Sequence, residues 1–279
     1  MYLVDYHTHT NYTTDATGTV KDYCEAAEKL GIKEIAFTNH LNFAKFESIP
    51  ELKGSEAPIV TIKLEQIPKY FEEIEEARKQ FNIKIKFGME IDYFEIFEPK
   101  IRKLINDYPF DFILGAVHFI DGFCISESGS ANKFFQGRDV LQIYIKYFSK
   151  LKKAIDSQLF DVMSHPDIVR RFAVNYSKIP FEKYKKQVED VVNSLTDNKI
   201  GIELNTYGYI HPVQDSYPSI EFLRLCKECG VKVVTIGSDA YSPSRLGDRL
   251  KEGIEKLKGV GYDRICLFNQ RKPGELLIK

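Results

Sequence analysis

The chain has 279 residues, of which 43% are hydrophobic and 28% charged, a composition typical of a globular protein and not of a disordered or fibrous one. Its 39 basic and 40 acidic residues give a net charge of -1, which provides no electrostatic reason to expect nucleic acid or a membrane surface as a partner. Its apolar runs are much shorter than the roughly 20 residues that span a bilayer, and its first residues lack the pattern of a signal peptide, so we expect a cytoplasmic protein.

Short β-branched and aromatic segments alternate with longer amphipathic segments along the chain. The short segments predict seven strands, at Tyr2–Tyr6, Glu34–Thr38, Ile83–Ile91, Phe112–Val117, Phe160–Met163, Gly201–Leu204 and Lys232–Ile236. The amphipathic segments predict helices that follow these strands in turn, at Val20–Leu30, Leu64–Phe81, Pro99–Asp107, Val140–Gln158, Pro180–Asn198, Ile220–Cys229 and Leu246–Leu257. This alternation predicts an α/β protein with a parallel sheet, either open or closed into a barrel, and seven units favour closure. Because no linker or repeat divides the chain, we predict one domain over residues 1–279.

Residues that can bind metal ions stand at the ends of the predicted strands. Five of the six histidines are found there, and they are His7, His9, His40, His118 and His165. The third strand carries Glu90, and Asp239 follows the seventh. Because the carboxyl ends of parallel strands share one rim, where active sites of α/β proteins are built, these side chains are expected to converge.

The types of these residues indicate which ion they would bind. His7 and His9 are two residues apart, so on a strand they point to the same face and can hold one ion together. Imidazoles and carboxylates without thiolates suit zinc, manganese or iron, and so many histidines do not suit magnesium or calcium. The ligands are too many for one ion, so we predict two or three divalent ions that share a bridging carboxylate, for which Glu90 is the candidate.

The motifs around these residues resemble a known family. In chain order they are DYHTHT, FTNH, GMEIDYF, ILGAVHFIDG, SHPDIVRRF, IELNTYG, YPS and IGSDAYSPSRLGD. They are similar to those of the PHP (polymerase and histidinol phosphatase) superfamily, in its histidinol-phosphate phosphatase branch, and they extend over nearly the whole chain. The resemblance implies a distorted (β/α)7 barrel with the active site at the C-terminal ends of the strands. It also implies a trinuclear metal site and hydrolysis of L-histidinol phosphate in histidine biosynthesis.

The resemblance also assigns metal ligands. It implies that one ion is bound by four residues, which are His7, His9, Glu90 and Asp239. A second ion would share Glu90 with His118 and His165, and Glu90, His118 and Asp239 are the expected catalytic residues. The third ion would be bound by Asp15, His40 and the residue two positions after Asp239, where the family has histidine and this chain has Tyr241. A phenol is a poor ligand unless a metal lowers its pKa, so the third site departs from the family pattern.

The substrate would be a small phosphomonoester, attacked in line by a hydroxide that bridges two ions. Five residues are candidates for binding it: Arg170, Arg171, Arg245, His211 and Tyr241. Arginine suits phosphate, and His211 would stand in for a basic residue that the family pattern places near Ile210. Three alternatives stay open: a PHP phosphoesterase for another small phosphate ester or nucleotide, a metal-binding module without activity, and an exonuclease, which the balanced charge disfavours. The oligomeric state is left open.

Overall fold

The computed structural model describes residues 2–45 and 60–278. In these residues the strands are β1 (Leu3–Thr8), β2 (Ile32–Phe37), β3 (His40–Leu41), β4 (Lys84–Asp92), β5 (Phe112–Ala116), β6 (Phe119–Ile120), β7 (Phe123–Cys124), β8 (Val162–Met163), β9 (Gly201–Asn205), β10 (Val234–Gly237), β11 (Arg264–Asn269) and β12 (Lys272–Leu277). The helices are α1 (Val20–Leu30), α2 (Ile67–Gln80), α3 (Glu98–Asp107), α4 (Ser128–Phe135), α5 (Val140–Asp156), α6 (Arg170–Ala173), α7 (Lys185–Asn198), α8 (Ile220–Glu228) and α9 (Leu250–Val260).

Seven parallel strands form a nearly closed barrel, in the order β1-β2-β4-β5-β8-β9-β10. The first and last of these strands meet through a single parallel bridge between Thr8 and Ala240. There the amide of His9 donates to the carbonyl of Ala240 at 2.9 Å, and the amide of Ala240 donates to the carbonyl of His7 at 3.3 Å. The parallel order places the carboxyl ends of all seven strands on one rim. The predicted barrel is therefore confirmed.

The predicted strands are all present, with ends shifted by a few residues, and the predicted helices are present as well. Helix α1 has the predicted bounds because its ends are fixed locally. Thr19 and Asp22 form a reciprocal capping box at its start, and Gly31 ends it with a φ of 73°. Helix α9 begins at Leu250 and not at the predicted Leu246. The reason is tertiary, because the amide of Gly247 donates to the buried carboxylate of Asp5 on β1 at 3.0 Å.

Several elements were not predicted. The sequence analysis missed the short helices α4 and α6 and the antiparallel hairpin of β11 and β12. The hairpin packs at the amino end of the barrel strands. There the backbone amide of Phe268 donates to the hydroxyl of Tyr6 at 2.8 Å, and the ring of Phe268 lies 4.8 Å from the ring of Phe112. This packing leaves the carboxyl ends of the strands as the side on which a site can form. Among the described residues, no helix is both long and apolar enough to cross a membrane.

Candidate metal centre

The ends of the first and last barrel strands bring three ligand atoms together. The Nε2 atoms of His7 and His9 lie 3.0 Å apart, and the Oδ1 atom of Asp239 lies 3.4 Å from the first and 3.1 Å from the second. The side chains of both histidines are fully buried. The side-chain period of a strand puts the two imidazoles on the same face, as the sequence predicted. These atoms converge on one point as metal ligands do.

Glu90 stands at the centre of the site, and its two carboxylate oxygens face two different sets of histidines. Its Oε1 atom lies 2.8 Å from Nε2 of His165 and 3.9 Å from Nε2 of His118. Its Oε2 atom lies 3.5 Å from Nε2 of His7 and 2.7 Å from Nδ1 of His40. Neither of these two contacts of Oε2 has hydrogen-bond geometry. A buried carboxylate oxygen without a hydrogen bond is costly unless a cation satisfies it. The residues therefore fit a pair of ions bridged by Glu90.

The second set of ligands lies on the other side of Glu90. The Nε2 atoms of His118 and His165 are 3.2 Å apart. Three groups in the described residues keep their ligand atoms within 4.8 Å of one another, and these are His7 with His9 and Glu90, His7 with His165 and Asp239, and Glu90 with His118 and His165. The structure thus brings together six of the eight predicted ligands in overlapping groups that could hold more than one ion.

Two of these ligands have an unusual backbone conformation. His165 and Asp239, the residues just beyond β8 and β10, have φ angles of 28° and 54°. Side chains other than glycine seldom adopt positive φ, and such residues gather at functional sites. The His165 conformation is held by Glu203, whose Oε2 atom accepts from the His165 amide at 2.9 Å. The strained turns direct both side chains into the mouth of the barrel.

Two carboxylates orient the histidines without belonging to the predicted ligand set. Glu203 accepts from Nδ1 of His7 at 2.8 Å, and Asp92 accepts from Nδ1 of His118 at 2.9 Å. A hydrogen bond at Nδ1 fixes the tautomer and leaves the Nε2 lone pair directed at the site. The sequence analysis assigned no role to either residue. The available signal was their position, because Asp92 lies two residues after Glu90 on β4 and so shares its face.

We expect Glu203→Gln to lower the affinity for zinc by about 10- to 100-fold, the usual effect of removing such a partner. Glu203 accepts hydrogen bonds from His7, from the amide of His165 and from the side chain of Asn205. The side-chain amide of a glutamine at position 203 has one acceptor oxygen, and it would turn its NH2 group toward one of these donors. Competition with a chelating dye measures the affinity. Glu76→Gln, on the exposed face of α2, is the matched control, and equal affinities for the two variants would contradict the orienting role.

The ionisable groups of the site strongly perturb one another. Burial would raise the pKa of Glu90, but His7, His40 and His118 hold it well below its usual value. Burial would likewise raise the pKa of Asp239, which His7 and His9 lower. Burial and the neighbouring His40 lower the pKa of His9 to about 4. Both carboxylates are therefore ionised and His9 is neutral at pH 7, whereas the neighbouring carboxylates raise the pKa of His7 and raise that of His40 to about 9. Metal binding would displace the protons that these two imidazoles hold.

A cavity of about 600 Å³ opens beside the predicted metal ligands, and its lining includes His40, His118, His165 and Asp239. The remaining predicted ligands, Asp15 and His40, line it near Tyr241. The Nε2 atom of His40 lies 3.7 Å from Oδ2 of Asp15 and 3.0 Å from the hydroxyl of Tyr241. The structure therefore brings the third predicted set of ligands into one place. In this set the hydroxyl of Tyr241 is hydrogen-bonded to His40.

The three predicted arginines have different surroundings. Arg171 lines the cavity with its side chain buried, and its Nε and Nη1 atoms donate to the Tyr217 hydroxyl and the Ser126 carbonyl. Within residues 2–45 and 60–278, no carboxylate pairs with Arg171 and no acceptor takes a hydrogen bond from its Nη2 atom. Arg170 is outside the cavity lining and is paired with Asp167 and Asp215, each at 3.0 Å. Arg245 is also outside the lining and is half-exposed, with Asp248 at 2.9 Å.

His211 lines the far side of the cavity, where its ring meets Tyr207 edge-on at 4.6 Å. Burial and the nearby Arg171 lower its pKa to about 4, so the imidazole is neutral at pH 7. Its buried Nε2 atom has no hydrogen-bond partner in the described part of the chain. That His211 binds the phosphate stays a prediction, in which the neutral ring would offer a hydrogen bond and no charge.

The sequence matches a protein family whose name includes the domain that the motifs resemble. The PHP domain profile matches residues 5–207. This is well over half of the chain, and the chain belongs to the PHP domain family. The matched segment includes the predicted ligands from His7 to His165, whereas Asp239 and Tyr241 lie beyond it.

Relatives cover nearly the full length. A protein of Deinococcus radiodurans named "Probable histidinol-phosphatase" is 28% identical over 97% of this chain and 98% of its own length. A histidinol-phosphatase of Lactococcus lactis is 24% identical over 98% of this chain and 96% of its own. In the solved structures, histidinol phosphate phosphatase from Lactococcus lactis, in complex with zinc, L-histidinol and phosphate, is similar with a TM-score of 0.82 and 22% identity. That similarity covers 98% of this chain and 99% of the other and shows a common fold.

Proposed function

We propose that this protein is a metal-dependent phosphomonoesterase that hydrolyses L-histidinol phosphate to L-histidinol and phosphate. The observation that carries the proposal is the division of the Glu90 oxygens between two groups of buried histidines, which is the arrangement of a bridging ligand between two ions. The substrate is supported by the names of relatives that match along nearly their whole length. We also propose that the chain forms a single domain over residues 1–279, because the core cluster extends from Val4 to Ile278.

The proposed ligands divide between two ions. His7, His9, Glu90 and Asp239 would hold one, and Glu90, His118 and His165 would hold the other. The donor set suits zinc, manganese or iron. Such ions would supply a Lewis acid for the phosphate oxygens and would activate a water molecule near neutral pH.

The residues of the chain prepare the site for an anionic ester. Glu203 and Asp92 hold His7 and His118 with their Nε2 atoms directed inward. Arg171 lies in the cavity wall with Nη2 left for a phosphate oxygen, and its guanidinium lies 5.2 Å above the Tyr207 ring, which fixes its plane. A buried cation without a carboxylate partner is stabilised when an anion binds beside it. We therefore propose Arg171 as the phosphate-binding arginine of the Arg170 and Arg171 pair.

His211 and Tyr241 complete the proposed substrate-binding residues. Both line the cavity, and Tyr207 lies between their rings at 4.6 Å from His211 and 5.4 Å from Tyr241. This aromatic wall would contact the non-phosphate part of the ester, to which a neutral His211 can offer a hydrogen bond. We further propose that the protein acts in the cytoplasm on a small ester and not on nucleic acid, in keeping with its balanced charge.

The proposal is tested by phosphate release from the protein loaded with zinc, manganese or iron. The substrates are L-histidinol phosphate and a panel that contains glycerol phosphate, glucose 6-phosphate and AMP. We expect kcat/KM for histidinol phosphate to exceed the others by at least about 10²-fold, because a pocket built for polar groups rejects esters that lack them. A chelator should abolish the release, and added metal should restore it. Metal-dependent release with preference for another ester would replace the substrate and keep the metal centre.

A further inference from the structure

Tyr241 stands beside Asp15 and His40, at the sequence position where the family pattern has a histidine for a third ion. Its hydroxyl lies 3.0 Å from Nε2 of His40 in hydrogen-bond geometry. Its ring stacks on the ring of His9 at a centroid distance of 4.6 Å and an angle of 20°. The ring of Tyr207 lies 5.4 Å away on the cavity side. The phenol is therefore fixed between a proposed ligand of the first ion and the cavity wall.

In the part of the chain that the structure describes, few other donors lie near this point. The Oδ2 atom of Asp15 lies 3.7 Å from Nε2 of His40, and the side chain of Asp15 is 34% exposed. The two groups around Glu90, in contrast, each contain at least three buried imidazole and carboxylate donors within 4.8 Å. Protein zinc sites that remain loaded use three or four such donors. Asp15 and His40 provide one imidazole and one partly exposed carboxylate, with a neutral hydroxyl as the remaining group.

The hydroxyl of Tyr241 also occupies the side of the His40 Nε2 atom that an ion would need. The His40 ring has its Nδ1 atom 2.7 Å from Oε2 of Glu90, so its Nε2 atom is the nitrogen left to face the cavity. Whichever of the two atoms donates, this hydrogen bond engages the Nε2 atom that a metal would need as its ligand. Binding of an ion would require this hydrogen bond to break and would leave the phenol either displaced or deprotonated.

We infer that the centre of this protein takes two ions and not three, and that the hydrogen bond between Tyr241 and His40 stands in place of the third. The inference rests on the proposed function only in its assignment of the two ions bridged by Glu90. His40 then belongs to the first ion's surroundings, where it contacts the bridging carboxylate. Asp15 is left as a polar residue of the cavity wall.

The test counts ions independently of any reaction. The protein is incubated with excess zinc and passed through a desalting column, and zinc per chain is measured by plasma mass spectrometry. We expect about two ions for the native chain and for Tyr241→Phe, and about three for Tyr241→His, in which an imidazole joins Asp15 and His40. Tyr176→His is the matched control, since it adds a histidine at an exposed tyrosine remote from the cavity lining, and it should retain about two.

Each outcome bears on the inference. Three ions in the native chain would overturn it, and so would a folded Tyr241→His variant that still binds two. If Tyr241→His does not fold, anomalous diffraction from zinc in crystals of the native chain decides, because a peak between Asp15 and His40 contradicts the inference and its absence beside two peaks at Glu90 supports it. A native chain that binds no zinc would instead remove the metal centre of the proposed function.

Discussion

Glu90→Gln is expected to lower phosphate release by at least about 10³-fold, because the loss of a bridging ligand removes several kcal/mol of metal-derived stabilisation from the transition state. The two oxygens of Glu90 face separate histidine groups, and an amide can offer an oxygen to only one of them. The amide is also neutral, so the buried ions would lose charge compensation. We expect the zinc content to fall together with the activity.

Glu76→Gln provides the comparison for Glu90→Gln, because it makes the same chemical change on an exposed face of α2. It should retain full zinc content and activity. Circular dichroism checks that the Glu90 variant is folded. A folded Glu90→Gln protein with native zinc content and native activity would show that Glu90 does not bridge the ions.

Arg171→Lys is expected to lower kcat/KM by about 10²-fold while zinc content stays native, because a single preorganised donor to a developing anion contributes this much. Lysine keeps the charge but loses the planar fork and the contact over the Tyr207 ring. It also cannot reproduce both hydrogen bonds that the guanidinium makes to Tyr217 and Ser126. Native zinc content separates this effect from damage to the metal centre.

The control for Arg171→Lys is Arg102→Lys, an exposed arginine on α3 that donates to the carbonyl of Ser157. We expect its kcat/KM to differ from the native value by less than about twofold, since surface substitutions usually have small effects. The test measures KM and kcat for phosphate release from L-histidinol phosphate. It also measures how strongly the product, inorganic phosphate, inhibits each variant. If phosphate inhibits the Arg171 variant as strongly as the native chain, Arg171 does not bind the phosphate group.

The sequence was most informative where a repeating pattern and a chemical type coincide. Each predicted strand has a short β-branched or aromatic pattern. Histidine is rare elsewhere in the chain but follows several of these strands, as His118 after β5 and His165 after β8 illustrate. The parallel topology then brings these ends together without any detail of packing. This is why the barrel and the convergence of the proposed ligands could be predicted.

The sequence was least informative where neighbouring residues of the same type differ only in the direction of their side chains. Arg170 and Arg171 are adjacent on the four-residue helix α6, so about 100° of helix rotation separates the one held by Asp167 and Asp215 from the one that lines the cavity. The rotation of so short a helix is set by its tertiary contacts. The hydrogen bonds of Glu203 and Asp92 likewise join residues far apart in sequence, and no local pattern reports them.

The meeting of β1 and β10 gives the metal centre a second consequence. His7 and His9 lie at the end of the first barrel strand and Asp239 follows the last, so an ion held by them would cross-link segments more than two hundred residues apart. A cross-link that closes so long a loop restricts the unfolded chain, as a disulfide does, and adds its binding energy to folding. The two backbone hydrogen bonds at Ala240 join the first and last strands at this rim, and an ion would reinforce this junction. Zinc supply would then set the lifetime of the folded protein in the cell, in addition to its rate of turnover.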